Sequence, residues 1–269
     1  MAQVSWYSFP TKICFGVGSL ENLPRVIAKE DWGKALIVTD KGFAQTNAYK
    51  TVTELLNKAG IQFSEYTDVS ANPSEADVLA GVVAYNTGHC GWILGLGGGS
   101  PLDVAKAIRL MVTHPGRIFE YDDALNGSEK INSRVVPMIA VPTTAGTGSE
   151  VGRSAVIIDP ETKTKKIIFS PHLLANYVFA DPMLTVEMPA HITAATGMDA
   201  FTHNIESYLA KGYHPLADSI ALGGVRLVAK SLKKAVIKPN DLDARADMLM
   251  ASMMGAIAFQ KGLGVTHSL

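Results

Sequence analysis

The chain has 269 residues, 47% of them hydrophobic, two cysteines and a formal net charge of −1. That length and apolar content suffice for one large or two smaller cores, and the small charge argues against nucleic acid or an anionic membrane as partner. Cys14 and Cys90 lie far apart and form no C-x-x-C, which fits a reducing, cytoplasmic compartment without a disulfide framework or thiolate metal site.

The opening "MAQVSWYSFP" lacks a basic region followed by a long apolar run, so no signal peptide is read there. "KALIVTD" is a buried strand ending at Asp40. An acid there can accept from ribose hydroxyls or cap the next turn. A helix follows, with Val52, Leu55 and Leu56 on one face. "GWILGLGGGS" is a second buried strand, and "DVAKAIRLMV" the helix after it. Gly97, Gly98 and Gly99 allow a tight turn and close approach of a ligand. Ser100 is expected as N-cap, with Pro101 in the first helical position and Asp103 closing a box-like Ser-x-x-Asp start. The free N–H groups and helix dipole would suit a pyrophosphate; an ordinary glycine turn is the other reading. No G-x-G-x-x-G is present, so the common dinucleotide fingerprint is absent.

"VVPMIAVPTT" is a third strand, leading into "VPTTAGTGSE". Thr143, Thr144 and Thr147, spaced by glycines, can line a polar ligand or form a flexible loop. Two such loops at the carboxyl ends of strands favour a nucleotide site. "SAVIID" and "YVFADP" read as further strands, with Lys163, Lys165 and Lys166 as a solvated hairpin tip between them. Near-continuous apolar strands separated by helices predict a parallel sheet covered on both faces.

After Pro182 three segments, "AHITAATGMDAFTHNIESYLA", "PLADSIALGGVRLVAKSLKKAV" and "DARADMLMASMMGAIAFQ", all read as helices. The expected division is an α/β nucleotide-binding domain over 1–185 and an all-α domain over 186–269. In "TGMDAFTHNIE" the stripe Met198, Phe201, Ile205 and Leu209 is expected to be the packing face. Asp199 and His203 share a second face roughly 130° away, as a surface pair or as two ligands of one metal ion. "MLMASMMGAIAF" is too short to span a bilayer and reads as a buried helix. His89, His114, His172, His191 and His214 fall at turns or element ends and read as solvated or capping residues.

Together these stretches resemble the iron-containing (group III) alcohol dehydrogenase family, on the dehydroquinate-synthase-like fold. "FGVGSLENLP", "GLGGGSPLDVAKAI", "VPTTAGTGSE" and Pro189-x4-Ala194-x-Thr196-x2-Asp199-Ala200-Phe201-x4-Glu206 follow in the family's order, and "GVTHSL" adds a fifth match. The resemblance implies metal and nicotinamide between an α/β and a helical domain. It makes Asp199, His203 and His267 metal ligands at the catalytic centre. It sets Gly98, Gly99, Ser100, Asp103, Thr143, Thr144 and Thr147 around the dinucleotide, with Asn72 and Lys165 at cofactor positions. Lys165 is then more than a hairpin lysine.

The activity so implied is NAD-linked hydride transfer between a small alcohol and its aldehyde or ketone, with Fe2+ favoured and Zn2+ or another divalent ion allowed. A homodimer or higher homo-oligomer is expected. The rivals are a glycerol dehydrogenase or dehydroquinate-synthase-like zinc enzyme, which the TTAGTGSE loop and D-A-F-x-H helix disfavour, and a non-catalytic dinucleotide-binding fragment. Family members run on for roughly another hundred residues, a small domain's worth, and carry a fourth histidine ligand there. Ending at Leu269, the sequence reads as a C-terminally truncated form with three of four ligands.

Overall fold

The computed structural model describes residues 9–268. Six strands form one sheet: β1 (Lys12–Phe15), β2 (Ala35–Val38), β3 (Phe63–Tyr66), β4 (Trp92–Gly97), β5 (Met138–Pro142) and β8 (Tyr177–Ala180), in the order β1-β8-β5-β4-β2-β3. Every neighbouring pair is parallel. Alternate side chains feed two cores, as the strand period requires. Ala35 and Ile37 of β2 join Leu23 and Ile27 of α1 (Leu23–Glu30) and Val52 and Leu56 of α2 (Asn47–Lys58). Leu36 and Val38 join Val78 of α3 (Glu75–Thr87) and Leu102 and Ile108 of α4 (Gly99–Met111) on the other face. The sheet is therefore covered on both sides, as expected from its continuous apolar strands.

The chain leaves β2 towards β3 on one side and returns to β4 on the other. The topological switch point lies between β2 and β4, where open α/β sheets bind ligands beyond their carboxyl ends. Asp40 follows β2 and the glycine run follows β4, so both flank that crevice.

"SAVIID" does not join the parallel sheet. As β6 (Ser154–Asp159) it pairs antiparallel with β7 (Thr164–Phe169) in a separate hairpin, with Lys163 at φ 54° in the turn. The short turn permits only an antiparallel return, since a parallel one needs a crossover.

Three helices follow: α5 (Ala190–Leu209), α6 (Pro215–Ile237) and α7 (Leu242–Ala258), with a last turn α8 (Val265–Ser268). The packing face of α5 is not the expected stripe. Met198 and Leu209 are exposed, while Thr193, Gly197, Ala200, His203, Asn204 and Ser207 are buried. Small residues win because the neighbouring helices come too close for large ones. A Cβ on Gly197 would lie 2.2 Å from Leu232 Cδ1, and one on Gly224 would lie 2.0 Å from Asn204 Oδ1. Asn204 Nδ2 also donates to Ala251 O of α7 at 2.9 Å, stitching the bundle. The Met-rich α7 is buried as expected, with Met248, Leu249, Ala251 and Met253 all inside. Among the described residues no helix is long and apolar enough to cross a membrane.

Candidate metal and dinucleotide site

A cleft of about 1090 Å³ runs between the sheet's carboxyl edge, the β6–β7 hairpin and the helices. It is lined by Asn72, Gly99, Ser100, Asp103, Thr147, Lys165, Asp199, His203 and His267, nine of the thirteen residues expected from the sequence.

One ligand atom from each of Asp199, His203 and His267 lies within 4.8 Å of the others. His203 Nε2 stands 3.9 Å from Asp199 Oδ1, and His267 Nε2 stands 3.6 Å from the same oxygen. The two imidazoles stack with centroids 4.4 Å apart. Each ring is turned by its other nitrogen. His203 Nδ1 donates to Gly146 O at 3.3 Å, and His267 Nδ1 donates to Glu206 Oε2 at 2.6 Å, tautomers set by acceptors that cannot themselves donate. Both Nε2 atoms therefore face the carboxylate. Burial holds His203 below the ordinary histidine range, against the pull of Asp199, so its ring is neutral. Two imidazoles, one carboxylate and acceptors behind each ring form a donor set that fits a divalent metal ion.

Glu206 is the residue that sequence reasoning left without a role. Its carboxylate accepts from Gly264 N, Thr266 N and His267 Nδ1 at 3.0, 2.6 and 2.6 Å. Burial alone would raise this carboxyl, but the donors, led by His267, bring it down to about 2. Its spacing from His203, one helical turn, was the available signal.

At the nucleotide end, Gly98 is the backbone cap of α4, and Leu102 N donates to its carbonyl at 3.2 Å. Ser100 is not the N-cap. It lies inside the first turn and donates to Ala71 O at 2.8 Å, while Pro101 sits two residues deeper than expected, still where no helical N–H bond is lost. Asp103 does not close a capping box either. It accepts from Ser149 Oγ at 2.5 Å, Val156 N at 3.0 Å and Lys106 Nζ at 3.3 Å. The cause is Lys106, 1% exposed, which also donates to Ser149 Oγ and Ser154 O at 2.7 and 2.6 Å. A buried ammonium needs acceptors from every side, and it ties α4, the threonine loop and β6 together. Burial lowers its pKa, with Asp103 opposing.

The remaining expected residues, Asp40, Gly98, Thr143 and Thr144, are not among those lining the cleft. Thr143 N donates to Gly97 O at 3.0 Å, and Thr144 packs where a Cβ on Gly98 would fall, 3.1 Å from its Cγ2. Asp40 Oδ1 accepts from Phe43 N at 2.9 Å, so it caps a turn at the switch point. His214 caps α6 through Ala217 N, and His114 lies among Leu110, Thr113 and Asn132, as their bland readings expected.

Comparison with known proteins finds relatives of this fold. Residues 10–182 match the model of the iron-containing alcohol dehydrogenase family, and residues 193–269 match its C-terminal model. The chain is 42% identical over 236 residues to a 4-hydroxybutyrate dehydrogenase of Cupriavidus necator, a match covering 88% of this chain and 61% of that protein. A crystal structure of 1,3-propanediol oxidoreductase superposes with a TM-score of 0.92 at 36% identity, over 97% of this chain and 68% of that one. A sulfoacetaldehyde reductase from Bifidobacterium kashiwanohense, solved in complex with NAD+, gives 0.91 at 31%, over 99% and 70%. The sequence spans about three fifths of the first of these proteins, and it belongs to the iron-containing alcohol dehydrogenase family.

Proposed function

We propose that the protein is a metal-dependent, NAD-linked oxidoreductase that interconverts a small alcohol and its aldehyde or ketone. The carrying observation is the convergence of Asp199 Oδ1 and the Nε2 atoms of His203 and His267, with Gly146 O and Glu206 fixing the rings from behind. When bound, the metal, Fe2+ or Zn2+, would supply a Lewis acid and the dinucleotide a hydride acceptor.

The chain's own groups do the rest. Asp199 brings the negative charge, and His203 is kept neutral by burial, so its lone pair is available at neutral pH. Phe259 packs 5.5 Å from the His203 ring and, with Leu263, gives the cleft an apolar side. The N–H groups at the start of α4 offer a pyrophosphate cradle beside Gly98 and Gly99, walled by Thr144 and Thr147. Thr143 supports that wall. Asn72, Ser100 and Lys165 are assigned to the dinucleotide from the same cleft, and Asp103 to holding its floor. Asp40, at the switch point, is assigned to the ribose 2′-hydroxyl. Two units meeting near residue 185 and a cytoplasmic homo-oligomer belong to the same proposal. The glycerol dehydrogenase and dehydroquinate synthase alternatives gain no support from the family match.

The test is absorbance at the NADH band with primary alcohols after loading with Fe2+ or Zn2+. Turnover that disappears with a chelator is expected; no turnover of any alcohol by loaded protein contradicts the proposal.

A further inference from the structure

Arg153 lines the same cleft as the triad, just ahead of β6. It is half-buried, and its guanidinium lies over the Phe169 ring, 5.1 Å from the centroid. Among the described residues the guanidinium has no hydrogen bond or ion pair, and residues 1–8 contain no acidic side chain. The carboxylates of the cleft are committed elsewhere. Asp103 is saturated by Ser149, Val156 and Lys106, and Asp199 faces the two histidines.

A half-buried guanidinium without an anion has lost part of its hydration and received nothing in exchange. It rests over the Phe169 ring, and its planar fork of N–H groups has no other partner among the described residues. Such a fork matches a carboxylate, and little conformational freedom remains to be lost on binding. Lys165, the other cation of the cleft without a partner among the described residues, is exposed to solvent on β7. The cleft is thus positive at Arg153 before any ligand enters.

We propose that Arg153 receives an anionic group on the substrate, so that the preferred alcohols are hydroxy acids carrying a carboxylate at the far end. This rests on the dehydrogenase reading above. A phosphate of the dinucleotide offers the same chemistry, but the start of α4 already provides its cradle. In the substrate reading, Arg153 sets specificity and takes no part in the chemistry at the metal.

The test compares ω-hydroxy acids of three to six carbons with diols of equal length, in the parent, Arg153→Gln and Arg153→Lys. At the best length the parent should prefer the acid in kcat/KM. Arg153→Gln should reduce the acid-over-diol ratio about 10- to 100-fold, and Arg153→Lys should restore part of it. Calorimetric titration with the same acid in the presence of NADH reads binding without turnover. It separates the proposal from the dehydrogenase reading: acid binding lost in Arg153→Gln supports Arg153 even if no alcohol is oxidised. An unchanged ratio, no acid binding by the parent, or a loss of NADH affinity alone in Arg153→Gln would each overturn it, the last by pointing the guanidinium at the dinucleotide.

Discussion

Glu206 Oε2 accepts a hydrogen bond from His267 Nδ1 at 2.6 Å. Glu206 lies one turn along α5 from His203, so a single helix provides two candidate ligands, Asp199 and His203, and the anchor of the third. Glu206→Gln removes the charge that orients His267 and should weaken divalent metal binding about 10- to 100-fold. Competition with a chromophoric zinc chelator measures this, and an unchanged affinity would show that His267 needs no anchor.

Glu150 is 1% exposed, with Oε1 unpartnered among the described residues. Burial raises its carboxyl to about 7, although its own backbone and Lys106 pull the other way. The folded state therefore keeps a proton that the unfolded chain releases above its ordinary value of 4.5. Stability contributed by this group is present below that value and falls as pH rises towards 7. Glu150→Gln should lose this slope and be more stable than the parent at pH 8 by about 1–3 kcal/mol. Urea unfolding at pH 5 and pH 8 decides the matter; parallel pH dependences in both proteins would count against it.

Gly99 is required by the approach of the threonine loop, since an added Cβ would lie 2.8 Å from Thr147 Cγ2. Gly99→Val should displace that loop from the start of α4 and lower NADH affinity at least tenfold. Fluorescence titration reads the affinity and circular dichroism checks folding. A folded variant that binds NADH like the parent would place the pyrophosphate elsewhere.

Among the described residues Asp40 Oδ2 has no partner, while Oδ1 caps Phe43. Facing a 2′-phosphate, that carboxylate should disfavour NADPH relative to NADH by about 1–3 kcal/mol. Asp40→Gly should narrow the gap between the two dissociation constants. Equal affinities in the parent would remove Asp40 from the cofactor site.

The central strands were legible because burial on both faces writes them as unbroken apolar runs: β2, β4, β5 and β8 all showed in the sequence. The edge strands β1, "KICF", and β3, "FSEY", were not, since each is partly solvated and carries no such run. The α5 packing face was misread because apolar periodicity takes the largest side chains as the buried ones, whereas here close helix contact selects Gly197, Ala200 and Asn204. Asp199 and His203 could be paired from their i, i+4 spacing alone. Lys106 could not be recognised, since its neighbours in the network, Ser149 and Ser154, come from segments more than forty residues away.

The claim on which the account rests is that Asp199, His203 and His267 hold one metal ion. Anaerobic calorimetric titration of the metal-free protein with Zn2+, beside an Asp199→Ala variant, tests it most directly. The account predicts one ion per parent chain and an affinity at least a hundredfold weaker in Asp199→Ala, as removal of a charged ligand from a three-donor set requires. Equal affinity in the two proteins, or no binding by the parent, would contradict it.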